Sequence, residues 1–230
     1  MRILKSSVFY VFLLLSFSAS AQVSLGLKGG IDFGRITNAI EGNDGSGGIS
    51  KQSSGTVTQF YGELFADIPL DTGARHMFYI RPGIEYLGAG GEMDWTGDYY
   101  IANGFTTNTK YKLHYVDVPV EFLFSPNFDW GRPFVGLGLY AGELINGTIK
   151  NDSASRSAKI GSAATDDFQR VDFGYTFSIG LATKVGFQFG IDYQHGFLRM
   201  IPNGAEQPGQ AKLKTHNSVW GLNIGWIFKL

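Results

Sequence analysis

Apolar and polar residues alternate with a period of two along most of this chain, most plainly at its end. In SVWGLNIGWIFKL (218–230), Trp220, Leu222, Ile224, Trp226, Phe228 and Leu230 share one face. Gly221, Asn223, Gly225, Ile227 and Lys229 share the other. Successive side chains of a strand point to opposite faces, so this pattern predicts a strand with one apolar side. Two further segments repeat it. Residues 171–182 set Val171, Phe173, Tyr175, Phe177, Ile179 and Leu181 against Asp172, Gly174, Thr176, Ser178, Gly180 and Ala182. Residues 185–197 set Val185, Phe187, Phe189, Ile191, Tyr193 and Phe197, interrupted by His195, against Gly186, Gln188, Gly190, Asp192, Gln194 and Gly196.

Five earlier segments follow the same rule: 23–35, 56–68, 76–88, 109–124 and 133–145. Their polar faces carry Lys28 and Asp32, Gln59, Glu63 and Asp67, Arg81 and Glu85, Asp117 and Glu121. Segment 109–124 changes phase, since Tyr111 and Leu113 are odd while Val116, Val118, Val120, Phe122 and Phe124 are even. An extra residue in a strand produces such a switch, so a β-bulge is expected near Tyr115, with Pro119 adding irregularity.

Eight strands result, and their connections alternate in length. Residues 36–55, 90–107, 147–167 and 200–215 are long, polar and rich in Gly, Ser, Asn and Thr, whereas 69–73, 125–131 and 182–184 are short. That rhythm predicts an all-β fold, an eight-stranded antiparallel transmembrane β-barrel wound as an up-and-down meander. The long loops would be extracellular and the short turns and both termini periplasmic. A soluble barrel of eight strands would hide its apolar face inside. Here the small and charged face suits a narrow interior, and rows of Phe, Leu, Ile and Val suit lipid. Phe128, Trp130, Tyr193 and Trp226 are candidates for interfacial girdles.

The N-terminus agrees with export. Arg2 and Lys5 precede an apolar run, 8–17, and Ala19-Ser20-Ala21 supplies a small-residue cleavage site. Residues 1–21 therefore read as a signal peptide and 22–230 as one outer-membrane barrel domain. The apolar run is too short for a spanning helix. Without Arg2 and Lys5, seventeen basic residues face twenty acidic ones, a net charge of −3, which argues against a nucleic-acid partner. The absence of Cys excludes disulfides, cysteine nucleophiles and cysteine-based metal sites.

Candidate chemistry is sparse. The inward set Lys28, Asp32, Glu63, Arg81, Glu85, Asp117, Glu121, Asp172 and Asp192 reads as a structural polar network, because unpaired buried charge is costly. Lys28, Arg81 and Lys229 would neutralise part of the acid. Ser178, Asp172 and Asp192 face inward while His195 faces outward, so no nucleophile–base set forms. His76, His114, His195 and His216 lack metal-ligand spacing. No catalytic residue, cofactor or metal is expected. Trp95, Tyr99, Tyr100 and Phe105 in the second long loop are candidate recognition residues.

Several segments in order carry a resemblance: GLKGGIDFG (26–34), FYIRPGIEYLGAGG (78–91), YVDVPVEFLF (115–124), PFVGLGLYAG (133–142), DFGYTFSIGLA (172–182) and FGIDYQHGF (189–197). The chain resembles the PorT-like outer-membrane β-barrel family of Gram-negative bacteria. Its last strand also resembles the assembly signal of such barrels, through Asn223, Gly225, Phe228 and Leu230, with Leu in place of the more familiar terminal Phe. The resemblance implies outer-membrane lipid and the barrel-assembly machinery as partners. It also implies a non-enzymatic accessory role in protein secretion or surface interaction. Alternatives are a rim-acting enzyme and a soluble periplasmic ligand-binding barrel.

Overall fold

The computed structural model describes residues 23–41, 52–70, 77–95, 108–151, 154–202 and 212–229. Its strands, in chain order, are β1 (Ser24–Glu41), β2 (Gln52–Pro69), β3 (Phe78–Trp95), β4 (Asn108–Phe124), β5 (Gly131–Asn151), β6 (Ser155–Ser157), β7 (Val171–Thr183), β8 (Phe187–Gly196) and β9 (Lys212–Lys229). Eight of them pair antiparallel in sequence, β5 passing directly to β7. β9 pairs with β1 from Ser24↔Lys229 to Glu41↔Lys212 and closes the sheet. The fold is an eight-stranded antiparallel up-and-down barrel, with β6 appended to the upper part of β5.

The strand ends Pro69 and Phe78, Phe124 and Gly131, and Thr183 and Phe187, each separated by a short stretch of chain, lie at one end of the barrel together with the strand termini Ser24 and Lys229. The tightest connection, between β7 and β8, closes through Gly186, whose φ of +100° favours glycine. Strands run well into the segments read above as long loops. β1 continues to Glu41, β3 to Trp95 and β5 to Asn151, while β4 begins at Asn108 and β9 at Lys212. A tilted crossing needs only about 9–11 residues. The outward apolar stretches match that length: Val116 to Phe124 on β4, Phe173 to Leu181 on β7, and Trp220 to Phe228 on β9. Above them the outward residues turn polar, as with Lys110, Lys112 and His114.

The apolar face is outside. Phe60 is 75% exposed, Ile224 64% and Leu137 62%, while Arg81, Asp67 and Asp117 are 0% exposed. That inversion of ordinary burial suits lipid outside and a packed interior within, and it overturns the soluble-barrel alternative. Below the apolar band, Phe128 and Trp130 stack with ring centroids 5.4 Å apart, and Phe78 lies 5.5 Å from Phe124. At its upper edge Tyr193 meets Trp220 at 4.5 Å.

The expected bulge in β4 needs correction. Odd positions of β4 face inward along its described length: Tyr115 and Leu113 are buried and Tyr111 is half-buried. The register does slip beside Tyr115, but the extra residue belongs to β5. His114 pairs with Asn146 and Tyr115 with Leu144, leaving Ile145 without a partner. The phase change in the sequence thus reports the lumen, which turns apolar above Asp117. Pro119 keeps register opposite Tyr140 of β5, while on its β3 side the pairing lapses between Pro82↔Val120 and Glu85↔Asp117, the local irregularity expected there.

Candidate functional site

Even positions of β1 and odd positions of β9 face the lumen, so the closing seam brings Lys28 and Asn223 together beside Asp192 of β8. Lys28 Nζ lies 2.8 Å from Asp192 Oδ2 and 2.9 Å from Glu63 Oε2. The same Asp192 oxygen accepts from the Tyr61 hydroxyl at 2.8 Å and from Asn223 Nδ2 at 2.9 Å. Gln194 donates to Glu85. Glu121 accepts from Thr176 at 3.3 Å and from Ser178 at 3.2 Å.

Nearer the short turns a second constellation fills the bore. Arg81 donates to Asp67 through Nε at 2.6 Å and Nη2 at 3.0 Å, and to Gln188 Oε1 at 3.4 Å. Arg132 reaches the second Asp67 oxygen at 2.6 Å. The guanidinium of Arg81 lies 4.2 Å from the Phe65 ring centroid and 5.1 Å from that of Phe134. Arg132 lies 4.5 Å from the Tyr79 ring. The planar cation therefore has carboxylate at its edge and rings on its faces, an arrangement that Lys could not reproduce.

Above Lys28 the acids are less matched. Asp172 accepts from Tyr140 and from Asn217, both at 3.2 Å, and Asn217 also donates to Tyr115 at 2.9 Å. Asp117 is enclosed, and neither of its oxygens has a hydrogen-bonding partner among the described residues. A Cβ at Gly142 would overlap Asp117 Oδ1, so the carboxylate fits only because β5 carries glycine there. Among the described residues eight lumen carboxylates, Asp32, Glu63, Asp67, Glu85, Asp117, Glu121, Asp172 and Asp192, face three cations, Lys28, Arg81 and Arg132. Among the described residues no three His, Asp or Glu groups converge as a metal site requires.

The bore then closes with apolar side chains. Ile36, Leu87, Ala89, Met93, Leu113, Tyr115, Leu144 and Val219 project inward from the strands. Phe168, from the connection after β6, and Met200, from the one after β8, pack into them from above. Phe168 meets Tyr111 edge-on at 5.6 Å. Backbone bonds hold this cap: Gln169 N–H to Met200 O at 2.7 Å and Met200 N–H to Thr215 O at 2.9 Å.

All nine residues of the expected polar network line the lumen, and seven of them join partners in one or another constellation. Lys229 was expected to add charge there, but its side chain lies outside the described residues, and Arg132 is found instead. The even-phase position of Arg132 on β5, two before Phe134, was a legible signal. Phe168 and Met200 carried none, being outside any alternating segment. Ser178 faces Glu121, whereas His195 is on the outer surface against Tyr175 at 5.6 Å and His216 at 6.0 Å. In the last strand Asn223 faces inward, Phe228 faces outward, and a Cβ at Gly225 would overlap Leu27 O. Leu230, Tyr99, Tyr100, Phe105, the Trp95 side chain and residues 1–21 lie outside the described residues.

Residues 17–201 match the outer membrane protein beta-barrel domain. The chain belongs to that family. Its place is the outer membrane, and the outward apolar band is the surface that meets lipid. Among solved structures, the outer membrane protein OprG from Pseudomonas aeruginosa is similar at 12% identity and TM-score 0.50, over 91% of this chain and 98% of that one. The attachment invasion locus protein Ail of Yersinia pestis is similar at 11% identity and TM-score 0.40, over 90% and 99%. The outer membrane enzyme PagL is similar at 11% identity and TM-score 0.36, over 85% and 98%. At such identities these likenesses concern the fold alone. No curated protein is detectably similar in sequence.

Proposed function

We propose that this family member is a filled, non-enzymatic barrel of the PorT-like kind, an accessory component that anchors surface loops for secretion or surface partners. The observation that supports this reading is the double closure of the lumen. Arg81, Asp67 and Arg132 fill it near the short turns, and the cluster around Leu113, Phe168 and Met200 fills its other end. A bore so occupied serves as a support for the loops rather than a path for solutes. The partners in this reading are outer-membrane lipid, the assembly machinery that would take up the strand carrying Asn223, Gly225, Phe228 and Leu230, and a protein engaging the 96–107 loop.

The test is affinity capture of the full-length protein from detergent-extracted, mildly cross-linked outer membranes. A secretion component is expected with the native chain and is expected to be lost when Trp95, Tyr99, Tyr100 and Phe105 are all changed to Ser. Equal recovery from that variant would remove the loop from the proposal. Hydrolysis of membrane lipid by the purified barrel would replace the accessory role with the rim enzyme.

A further inference from the structure

Where β7 leaves β5, at Glu143↔Val171, β6 takes its place beside the upper part of β5. Three strands then lie side by side, and their register sets two rows on one face. Lys110 pairs with Lys150, which pairs with Ser155; Lys112 pairs with Thr148, which pairs with Ser157. Cross-strand partners project to the same side of a sheet. That side is the outer one: Lys110, Lys112, Lys150, Ser155 and Ser157 are exposed and Thr148 is partly so. Strand and residue spacings make this a plate of about 10 by 7 Å.

Two features make the plate a site for an anion. Lysines directly opposite each other repel, so the Lys110–Lys150 pair is unfavourable in isolation. Glu92 lies 3.4 Å from Lys110, while Lys112 and Lys150 have no ion-pair partner among the described residues. Ammonium groups interleaved with hydroxyls are the donors that phosphate oxygens accept from. The same face of β4 continues downward through His114 into the exposed apolar run Val116, Val118, Val120, Phe122 and Phe124. Lys112 is four residues above Val116, about 13 Å along the strand. The donors thus stand at the upper edge of the lipid-facing band, at headgroup level.

We propose that the β4–β5–β6 plate binds the phosphorylated headgroup of an outer-leaflet glycolipid whose acyl chains lie along Val116 to Phe124. The proposal rests on the outer-membrane placement and not on the accessory role, so failure to capture a protein partner leaves it untouched.

The test counts lipid adducts on the full-length barrel, folded in detergent, by native mass spectrometry. The probes are a doubly phosphorylated, acylated glucosamine disaccharide, its dephosphorylated form, and inorganic phosphate. Heat-modifiable gel mobility verifies folding of each variant. Adducts of the phosphorylated lipid are expected on the native barrel, about tenfold fewer on Lys112→Gln/Lys150→Gln, and native-like numbers on Lys112→Arg/Lys150→Arg. Should the Gln variant not fold, Ser155→Ala/Ser157→Ala is expected to reduce adducts in its place. Undiminished adducts on a folded variant, or equal retention of the dephosphorylated lipid, would overturn the plate. Displacement by millimolar inorganic phosphate would assign a free anion and overturn the lipid.

Discussion

Arg81 is fully enclosed, yet its charge is matched at short range by Asp67 and its ring faces are covered by Phe65 and Phe134. Removing one member of a buried pair leaves the other charge stranded, which costs about 3–5 kcal/mol, whereas replacing both with apolar groups is often nearly neutral. Arg81→Met keeps a stem that packs on the two rings and leaves Asp67 with Arg132 alone. Its loss of stability is therefore expected at the low end, about 3 kcal/mol. Arg81→Met/Asp67→Leu is expected to recover most of that. Urea unfolding of the barrels in phosphatidylcholine vesicles, followed by tryptophan fluorescence, reads both. A double variant less stable than the single one would mean that Asp67 contributes chiefly through Arg132.

The 154–170 connection is tied to the barrel by the β5–β6 ladder and by Phe168 in the cap, and one ion pair organises it internally. Arg156 donates to both oxygens of Asp167 at 2.6 Å, and the Lys159 N–H donates to one of them at 2.7 Å. The Arg156 hydrogen bonds are the main cause that holds the Asp167 carboxyl below the usual carboxylate range, with Lys159 adding to them and partial burial opposing. A carboxylate depressed in the folded state contributes stability above its unfolded pKa and loses it as pH falls through the folded value. With Arg156 half exposed, the contribution is about 0.5–1 kcal/mol. Amide exchange at Asp167 and Phe168 is expected to be protected at pH 6 and to accelerate, relative to the β4–β5 ladder, as pH falls below about 4. Asp167→Asn should show the faster exchange already at pH 6; unchanged exchange in that variant would remove the pair from the cap. This element was not legible in the sequence. The lower halves of the strands were, because lipid on one side and a narrow lumen on the other impose alternation residue by residue. Above the apolar band the outer face turns polar and the lumen apolar, and the Gly-, Ser- and Asn-rich stretches there hide the alternation, so β1 beyond Arg35 and β3 beyond Gly88 read as loop. The phase change between Leu113 and Val116 was visible, but a strand that flips and a lumen that turns apolar leave the same trace. The pairing of His114 with Asn146 and Tyr115 with Leu144 decides between them.

As a whole the barrel is blocked twice in series, by different chemistry. The apolar cap is Phe168 and Met200 seated on Leu113, Leu144 and Met93, while the lower obstruction is Arg81 wedged between Phe65 and Phe134 with Lys28 and Glu63 above it. Two obstructions in series predict a result that one would not. In planar bilayers the native protein is expected to give no stable conductance. Phe168→Ala/Met200→Ala removes side chains from the cap, at a cost of about 2–5 kcal/mol for each fully buried large side chain, but leaves the charged lower plug and should stay closed. Arg81→Ala/Phe134→Ala opens the lower bore and should also stay closed, because the cap is intact. Only the combination of all four substitutions is expected to conduct. Its current should select cations, since among the described residues eight lumen carboxylates would then face two cations, Lys28 and Arg132. Conductance in either double variant would show that a single obstruction seals the bore, and anion selectivity in the fourfold variant would show that most of these carboxylates are held uncharged.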